Sequence, residues 1–320
     1  MAKASGSVKA TAPGKIILFG EHAVVYGRPA IAAPLSELRA TAVVQPRADK
    51  GVVLSAPDLG LDRMLAEASE DDALALAVKQ VQEAAGIIQL PDMLITVISD
   101  IPIASGLGSG AAITAAIIRA LAIYLNKEYL VTNEWVSQLT FEIEKIYHGT
   151  PSGIDNTVVT YERPVYFVRQ EPRNRIETFE IGRPLPLLIA DTGVSSRTKV
   201  VVSDVRRAWH DDHDQFERLF DDCGAIAREA RTAIANGDLL LIGDLMNQNH
   251  ALLVDMTVSS PELNHLVKAA VQAGAFGAKL SGGGRGGNMI ALVDDDTEAA
   301  VHNALLRAGA HAVLGSRIAS

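Results

Sequence analysis

Asp155 stands where a rigid turn could hold a carboxylate ready for proton transfer. It lies in the run Glu144-Lys-Ile-Tyr-His148-Gly-Thr-Pro151-Ser-Gly153-Ile-Asp155-Asn156. Pro151 fixes one backbone angle and Gly153 frees another, so the chain is expected to turn sharply after a helix and present Asp155 and Asn156 from a loop. A carboxylate held this way suits general-base work, although the same residues would also serve a plain helix stop followed by an Asx turn. A second group of polar residues, Lys15 and the pair Glu21-His22, brackets the short apolar run from Ile16 to Phe19. That run, bounded by Gly14 and Gly20, reads as a buried strand whose ends carry the polar side chains. A solvated lysine and a structural histidine are the plain alternatives there. The third segment is Ile101-Pro102-Ile-Ala-Ser105-Gly106-Leu107-Gly108-Ser109-Gly110-Ala111-Ala112. It follows an expected strand and enters a helix, so the first helical amides could cradle a phosphate. It lacks both the Gly-Lys-Ser/Thr of a Walker loop and the usual setting of the dinucleotide fingerprint.

The elements that must position these residues are mixed and do not alternate regularly. In the first half, apolar patterning predicts strands near 8 to 12, 15 to 19, 39 to 45 and 94 to 98, with helices at 73 to 85, 109 to 125 and 134 to 148. The second half predicts strands near 165 to 169, 176 to 181, 186 to 190, 278 to 281 and 289 to 293. Helices are expected there near 200 to 235, 238 to 253, 261 to 273 and 296 to 307. This order implies an α+β architecture. Within the helix at 134 to 148, Trp135, Leu139, Ile143 and Ile146 share one face and are expected to form its buried stripe. The run Ala111 to Leu125, interrupted by Arg119, is too short for a membrane span and reads as a helix buried on most sides.

A chain of 320 residues with 48% hydrophobic content can bury a large core. Its net charge of −9 argues against nucleic-acid and anionic-membrane partners, while a local basic pocket for phosphate remains compatible with it. Cys223 is the sole cysteine, which excludes an intrachain disulfide and a cysteine-based zinc site and fits a cytoplasmic protein. The start, Met1-Ala-Lys-Ala-Ser-Gly-Ser, lacks the apolar core of a signal peptide.

In chain order the three segments resemble the GHMP kinase superfamily, as does a fourth, Ala278-Lys279-Leu-Ser281-Gly-Gly-Gly284-Arg285-Gly-Gly287-Asn288. Within it they are most similar to the branch that phosphorylates mevalonate. The first motif departs from the Gly-Glu-His-Thr-Asp of galactokinases, and it keeps the Pro-Gly-Lys-x-x-Leu-x-Gly-Glu-His form that diphosphomevalonate decarboxylases lack. The resemblance implies two α+β lobes, 1 to 185 and 186 to 320, with the active site in the cleft between them. It implies ATP and Mg²⁺ as cofactors and transfer of phosphate to the primary hydroxyl of mevalonate. Phosphomevalonate, another hydroxyl of mevalonate, and a silent ligand sensor are the alternatives it admits, and a homodimer is one possible assembly.

By the same resemblance, Asp155 is the catalytic base and Lys15 its catalytic partner. Pro102, Ser105, Gly106, Leu107, Gly108, Ser109, Gly110, Ala111 and Ala112 form the nucleotide phosphate loop. The magnesium-binding glutamate of the family stands four residues before a His-Gly pair, which is Glu144, with Glu142 as the other option. Glu21, His22 and Thr198 fall on the substrate side. Thr198 could instead cap a helix starting near 200, and Arg197 is a further carboxylate partner. Asn247 and His250 take a structural reading. Two departures stand out. The family's Gly-Leu-Gly-Ser-Ser-Ala reads Gly106-Leu107-Gly108-Ser109-Gly110-Ala111, so a magnesium-binding hydroxyl is missing, and water or Ser109 must complete the metal. Arg285 interrupts a loop that is otherwise all small residues in the family, and either approaches nucleotide phosphate or faces solvent.

Overall fold

The computed structural model describes residues 6–102, 106–148, 151–195 and 198–319. In chain order the elements are β1 (Val8–Phe19), β2 (Ala30–Pro46), β3 (Val52–Ala56), β4 (Leu61–Met64), α1 (Ala73–Ala84), β5 (Met93–Ser99), α2 (Ser109–Tyr124), α3 (Asn133–His148) and α4 (Ile154–Tyr161). They continue as β6 (Val165–Val168), β7 (Arg175–Thr178), β8 (Leu185–Asp191), α5 (Thr198–Asp211), α6 (His213–Asn236), α7 (Leu239–Asp255), α8 (Pro261–Gln272), β9 (Gly277–Ser281), β10 (Asn288–Leu292), α9 (Glu298–Arg307) and β11 (Ala312–Ile318). The α+β class is as expected. The chain forms two compact units, one of residues 1–15 with 37–162 and the other of 16–36 with 163–320.

In the first unit, β5 pairs antiparallel with the second half of β2 and parallel with β3, whose other edge carries β4. Helix α2 packs against β5, α1, α3 and α4. It is buried from Ala111 to Tyr124 on nearly every side, as its apolar circumference requires. Its one charge is tied down: Arg119 donates to the Thr11 carbonyl at 2.8 Å, the Thr160 carbonyl at 2.6 Å and Glu162 at 2.9 Å. A guanidinium with this many acceptors tolerates burial, and here it joins β1, α2 and the end of α4.

In the second unit, the first half of β2 pairs with β6, and β6 with β7. A separate antiparallel sheet has the order β11-β8-β10-β9. Helices α7 and α8 cover β9, and α9 packs on β8 and β11. The core between them holds Leu188, Ala190, Phe216, Phe220, Leu253, Leu263, Leu280 and Met289.

Several expected boundaries moved. The strands expected at 8 to 12 and 15 to 19 are one strand, because Gly14 leaves room where a Cβ would lie 2.9 Å from the Leu107 carbonyl. The helix expected at 200 to 235 is two, broken where Asp212 caps α6 by accepting from the Gln215 amide at 3.1 Å. The loop expected at Asp155 and Asn156 is the first turn of α4. The strands β3, β4 and β11 carry too little alternation to stand out in the sequence.

Candidate active site

The loop expected to hold phosphate is shaped by its glycines. Gly106 and Gly108 adopt left-handed conformations, with φ of 78° and 75°, and Gly108 caps α2. A Cβ at Gly108 would lie 2.7 Å from Lys15 Cγ, so only glycine lets the loop close over that side chain. The Lys15 amide donates to the Leu107 carbonyl at 2.8 Å, fixing the strand to the loop. Leu107, Ala111 and Ala112 are buried, so any phosphate contact from them runs through the backbone. The Ala112 amide already donates to the Gly108 carbonyl at 3.0 Å. By helix geometry the amides of Ser109, Gly110 and Ala111 precede the first intrahelical bond and are the free donors. Pro102, Gly106 and Gly110 are exposed, and Ser109 is half-buried. Ser105 and Arg197 lie outside the described residues.

Asp155 reaches Lys15 Nζ at 3.2 Å. Its carboxylate belongs to the first turn of α4, where the helix dipole favours negative charge. Gly153, at φ 91°, makes the entry turn, and Thr157 Oγ1 donates back to its carbonyl at 2.7 Å. Asn156 fixes α4 on α3: its side-chain nitrogen donates to the Ser137 carbonyl at 3.2 Å and to Ser137 Oγ at 2.8 Å.

Helix α3 buries only part of the stripe expected of it, with Ile143 inside and Trp135 and Leu139 half-buried. Ile146 is 51% exposed, while Val136, Ser137, Thr140, Ile143 and Glu144 are buried. The inward face is shifted by one residue because polar side chains on it are satisfied locally, Thr140 Oγ1 donating to the Val136 carbonyl at 2.8 Å. Glu144 therefore lies on the inward face, whereas Glu142 pairs with Lys145 at 2.7 Å near the surface. Burial and the neighbouring Asp155 carboxylate push Glu144 up to about 8, with Lys15 pulling the other way. Without a cation Glu144 is therefore largely protonated at neutral pH, and a bound divalent cation would favour its ionised form beside Asp155. That donor set fits a hard divalent cation with phosphate and water oxygens completing its shell. Among the described residues no cluster of three or more His, Cys, Asp or Glu forms a metal cage.

In the second unit, Glu21 and His22 follow β1. Glu21 is fully buried against Lys279, which also donates to the Leu280 carbonyl at 2.6 Å. The sequence carries a signal for this pair, since a lysine inside the mostly apolar β9 points to a buried partner. Among the described residues Glu21 Oε2 has no hydrogen-bond partner, and desolvation raises the Glu21 carboxyl while lowering the Lys279 ammonium. His22 Nε2 bonds the Gly283 carbonyl at 3.0 Å. Burial, with Arg285 nearby, pushes His22 down to about 4, so the ring is neutral and Nε2 donates. Its Nδ1 is then a buried acceptor with no hydrogen-bond partner among the described residues. Residues 23 to 26 form a 3₁₀ turn anchored by Tyr26, stacked 4.1 Å from Phe220.

Helix α5 opens on Thr198 itself, two residues before the expected start. A Cβ at Gly283 would lie 2.6 Å from Thr198 Oγ1, so the turn at 282 to 287 and the start of α5 are in tight contact. Arg285 in that turn takes φ 55°, a conformation costing a non-glycine residue about 1 kcal/mol or more. It pairs with Asp204 at 2.5 Å. His250 Nδ1 accepts from the Leu280 amide at 3.3 Å and Asn247 from the Ala278 amide at 3.0 Å, consistent with structural roles. Burial pushes the Cys223 thiol up to about 12, which removes it from nucleophilic chemistry.

Residues 72–163 match the model of the GHMP kinase N-terminal domain, and residues 230–311 match that of the GHMP kinase C-terminal domain. The mevalonate kinase of Pyrococcus abyssi is 33% identical, over 89% of this chain and 88% of its own. That of Aeropyrum pernix is 36% identical, over 89% of this chain and 88% of its own. Among solved structures, L. major mevalonate kinase in complex with R-mevalonate superposes with a TM-score of 0.84 at 31% identity, covering 97% of this chain and 95% of that one. The Methanococcus jannaschii mevalonate kinase gives 0.86 at 26%, covering 99% of each. No described helix is long and apolar enough to cross a membrane. Identity at this level over most of the chain, with a shared fold and both domain models matched, makes the chain a member of the GHMP kinase family.

Proposed function

We propose that this chain transfers the γ-phosphoryl group of ATP to the primary hydroxyl of mevalonate, giving 5-phosphomevalonate. The observation that carries the reading is the Lys15–Asp155 pair, 3.2 Å apart, with Lys15 packed against Gly108 of the phosphate loop. A base and a cation are thereby held beside the amides that would bind the β- and γ-phosphates. Phosphoryl transfer needs positioning and charge stabilisation more than covalent help. Asp155 accepts the hydroxyl proton as the new oxygen–phosphorus bond forms and the bond to the ADP oxygen breaks. Lys15, 3.2 Å from Asp155, stabilises charge on the acceptor oxygen and the phosphoryl group.

Glu144, assisted by Ser109, is the protein's contribution to Mg²⁺, which supplies charge neutralisation on the phosphates. Glu21, His22 and Thr198 are assigned to mevalonate. The buried Nδ1 of His22 suits a hydroxyl donor, and the Thr198 hydroxyl suits the carboxylate or tertiary hydroxyl.

An ADP-release assay run in parallel on mevalonate, phosphomevalonate, galactose and homoserine tests the reading. Mevalonate should be turned over far better than the others, and phosphorus NMR should show a primary phosphate ester. A tertiary ester would overturn the regiochemistry, and preference for phosphomevalonate would move the chain to the next step.

The metal assignment has its own test. A Cβ at Gly110 meets nothing within 4 Å, so a serine fits there without strain. Gly110→Ser should lower the magnesium concentration needed for half-maximal rate, by roughly the 10-fold that a recovered ligand or its orienting partner gives. Ser109→Ala should raise it if Ser109 serves the metal, and Glu144→Gln should raise it more. Unchanged magnesium dependence in both loss variants would remove Glu144 and Ser109 from the metal site.

A further inference from the structure

We propose that Arg285 is a positioning residue for the phosphoryl acceptor: through Asp204 it clamps the turn at 282 to 287 onto α5, fixing Thr198 and the Gly283 carbonyl that holds His22. The inference rests on the reading that Glu21, His22 and Thr198 receive mevalonate.

The backbone gives the first reason. Arg285 sits among glycines at φ 55°, where glycine would be unstrained. A strained non-glycine residue persists when its side chain is over-determined by its surroundings, and this one is. Its Nε donates to the Thr257 carbonyl at 3.2 Å and its Nη1 to Asp204 Oδ2 at 2.5 Å, while its own amide donates to the Val258 carbonyl at 2.8 Å. Two diverging donors on one planar group make both side-chain contacts at once, which an ammonium cannot reproduce.

The second reason is what the clamp holds. Asp204 lies on α5 six residues beyond Thr198, so the pair fixes the helix along its length and in rotation. At the helix start, Gly283 approaches Thr198 so closely that a Cβ would clash with its hydroxyl. The carbonyl of the same glycine receives His22 Nε2 at 3.0 Å. Thr198, Gly283 and His22 thus move together if the turn moves. Asp204 also pairs with Arg207, but Arg207 is 73% exposed against 35% for Arg285, so solvent screens that contact more.

Steady-state kinetics of the full chain, varying mevalonate and ATP separately, test the clamp. Arg285→Gly relieves the backbone, so its melting temperature should hold. Its KM for mevalonate should rise roughly tenfold, the change that about 1.4 kcal/mol of lost binding gives, with kcat and the KM for ATP little changed. Arg285→Lys should fall between. Asp204→Asn should match Arg285→Gly, and the double variant should add nothing further, as expected of one coupled unit. Thr198→Ala is the reference. If it raises the KM for mevalonate while Arg285→Gly does not, the clamp is overturned and the substrate assignment stands. If Thr198→Ala leaves that KM unchanged, both are overturned. A rise confined to the KM for ATP in Arg285→Gly would make Arg285 a nucleotide contact and also overturn the clamp. Should Arg285→Gly lose stability, Arg285→Lys decides by the same comparison of the two KM values.

Discussion

Asp155→Ala should lower kcat by at least about 100-fold, the low end for loss of a general base, with the KM for ATP changed little. Asp155 contacts Lys15 at 3.2 Å and is not part of the ties that hold α4 in place, which run through Asn156, Thr157 and Gly153. The substitution therefore removes the proton acceptor and leaves the helix. Asp155→Asn keeps the shape and removes only the basicity, so it should lose a similar factor. Lys15→Met gives the complementary measurement, since a lysine that carries most of the catalysis would make its loss larger than that of Asp155. Near-normal turnover in folded Asp155→Ala would withdraw the base assignment and leave Lys15 as the principal catalytic group.

The separation of these roles shows what the sequence could convey. The spacing Pro151, Gly153, Asp155 implies a sharp turn that presents a carboxylate, and the strand–glycine–helix order implies free amides at a helix start. What periodicity hid was α4. Its eight residues include Thr157, Val158, Val159 and Thr160, which favour strand locally, and it is helical because it packs on α2 and α3. The inward face of α3 was hidden for a related reason. Ser137, Thr140 and Glu144 look solvated in a pattern of apolar letters, yet Thr140 is satisfied within its own helix, Ser137 by Asn156 on α4, and Glu144 lies beside Asp155 and Lys15. Apolar periodicity cannot anticipate partners that are distant in sequence. The same limit applied to Lys279, which is separated from Glu21 by 258 residues.

Lys279→Ala should destabilise the second unit by about 3–5 kcal/mol, the usual cost of removing one partner of a buried ion pair. Both side chains are essentially inaccessible, at 0% and 1% exposure, and Glu21 Oε2 already lacks a hydrogen-bond partner among the described residues. Without the ammonium, Glu21 must either keep an uncompensated charge or take up a proton, and each route costs free energy. Replacing both residues is different. Lys279→Met with Glu21→Gln removes the desolvation of two charges together with their attraction, so most of the lost stability should return. Turnover should not return with it, because Glu21 is assigned to mevalonate, and the KM for mevalonate should remain raised. Trp209 reports on this unit, packing 5.3 Å from Tyr26 in the turn that follows His22. In a Trp135→Phe background, urea unfolding followed by Trp209 fluorescence isolates the relevant transition. A Lys279→Ala midpoint indistinguishable from that of the parent would mean that Glu21 is readily neutral in the fold and that the pair does not hold it. A double variant that regains both stability and mevalonate affinity would instead take Glu21 out of the substrate site.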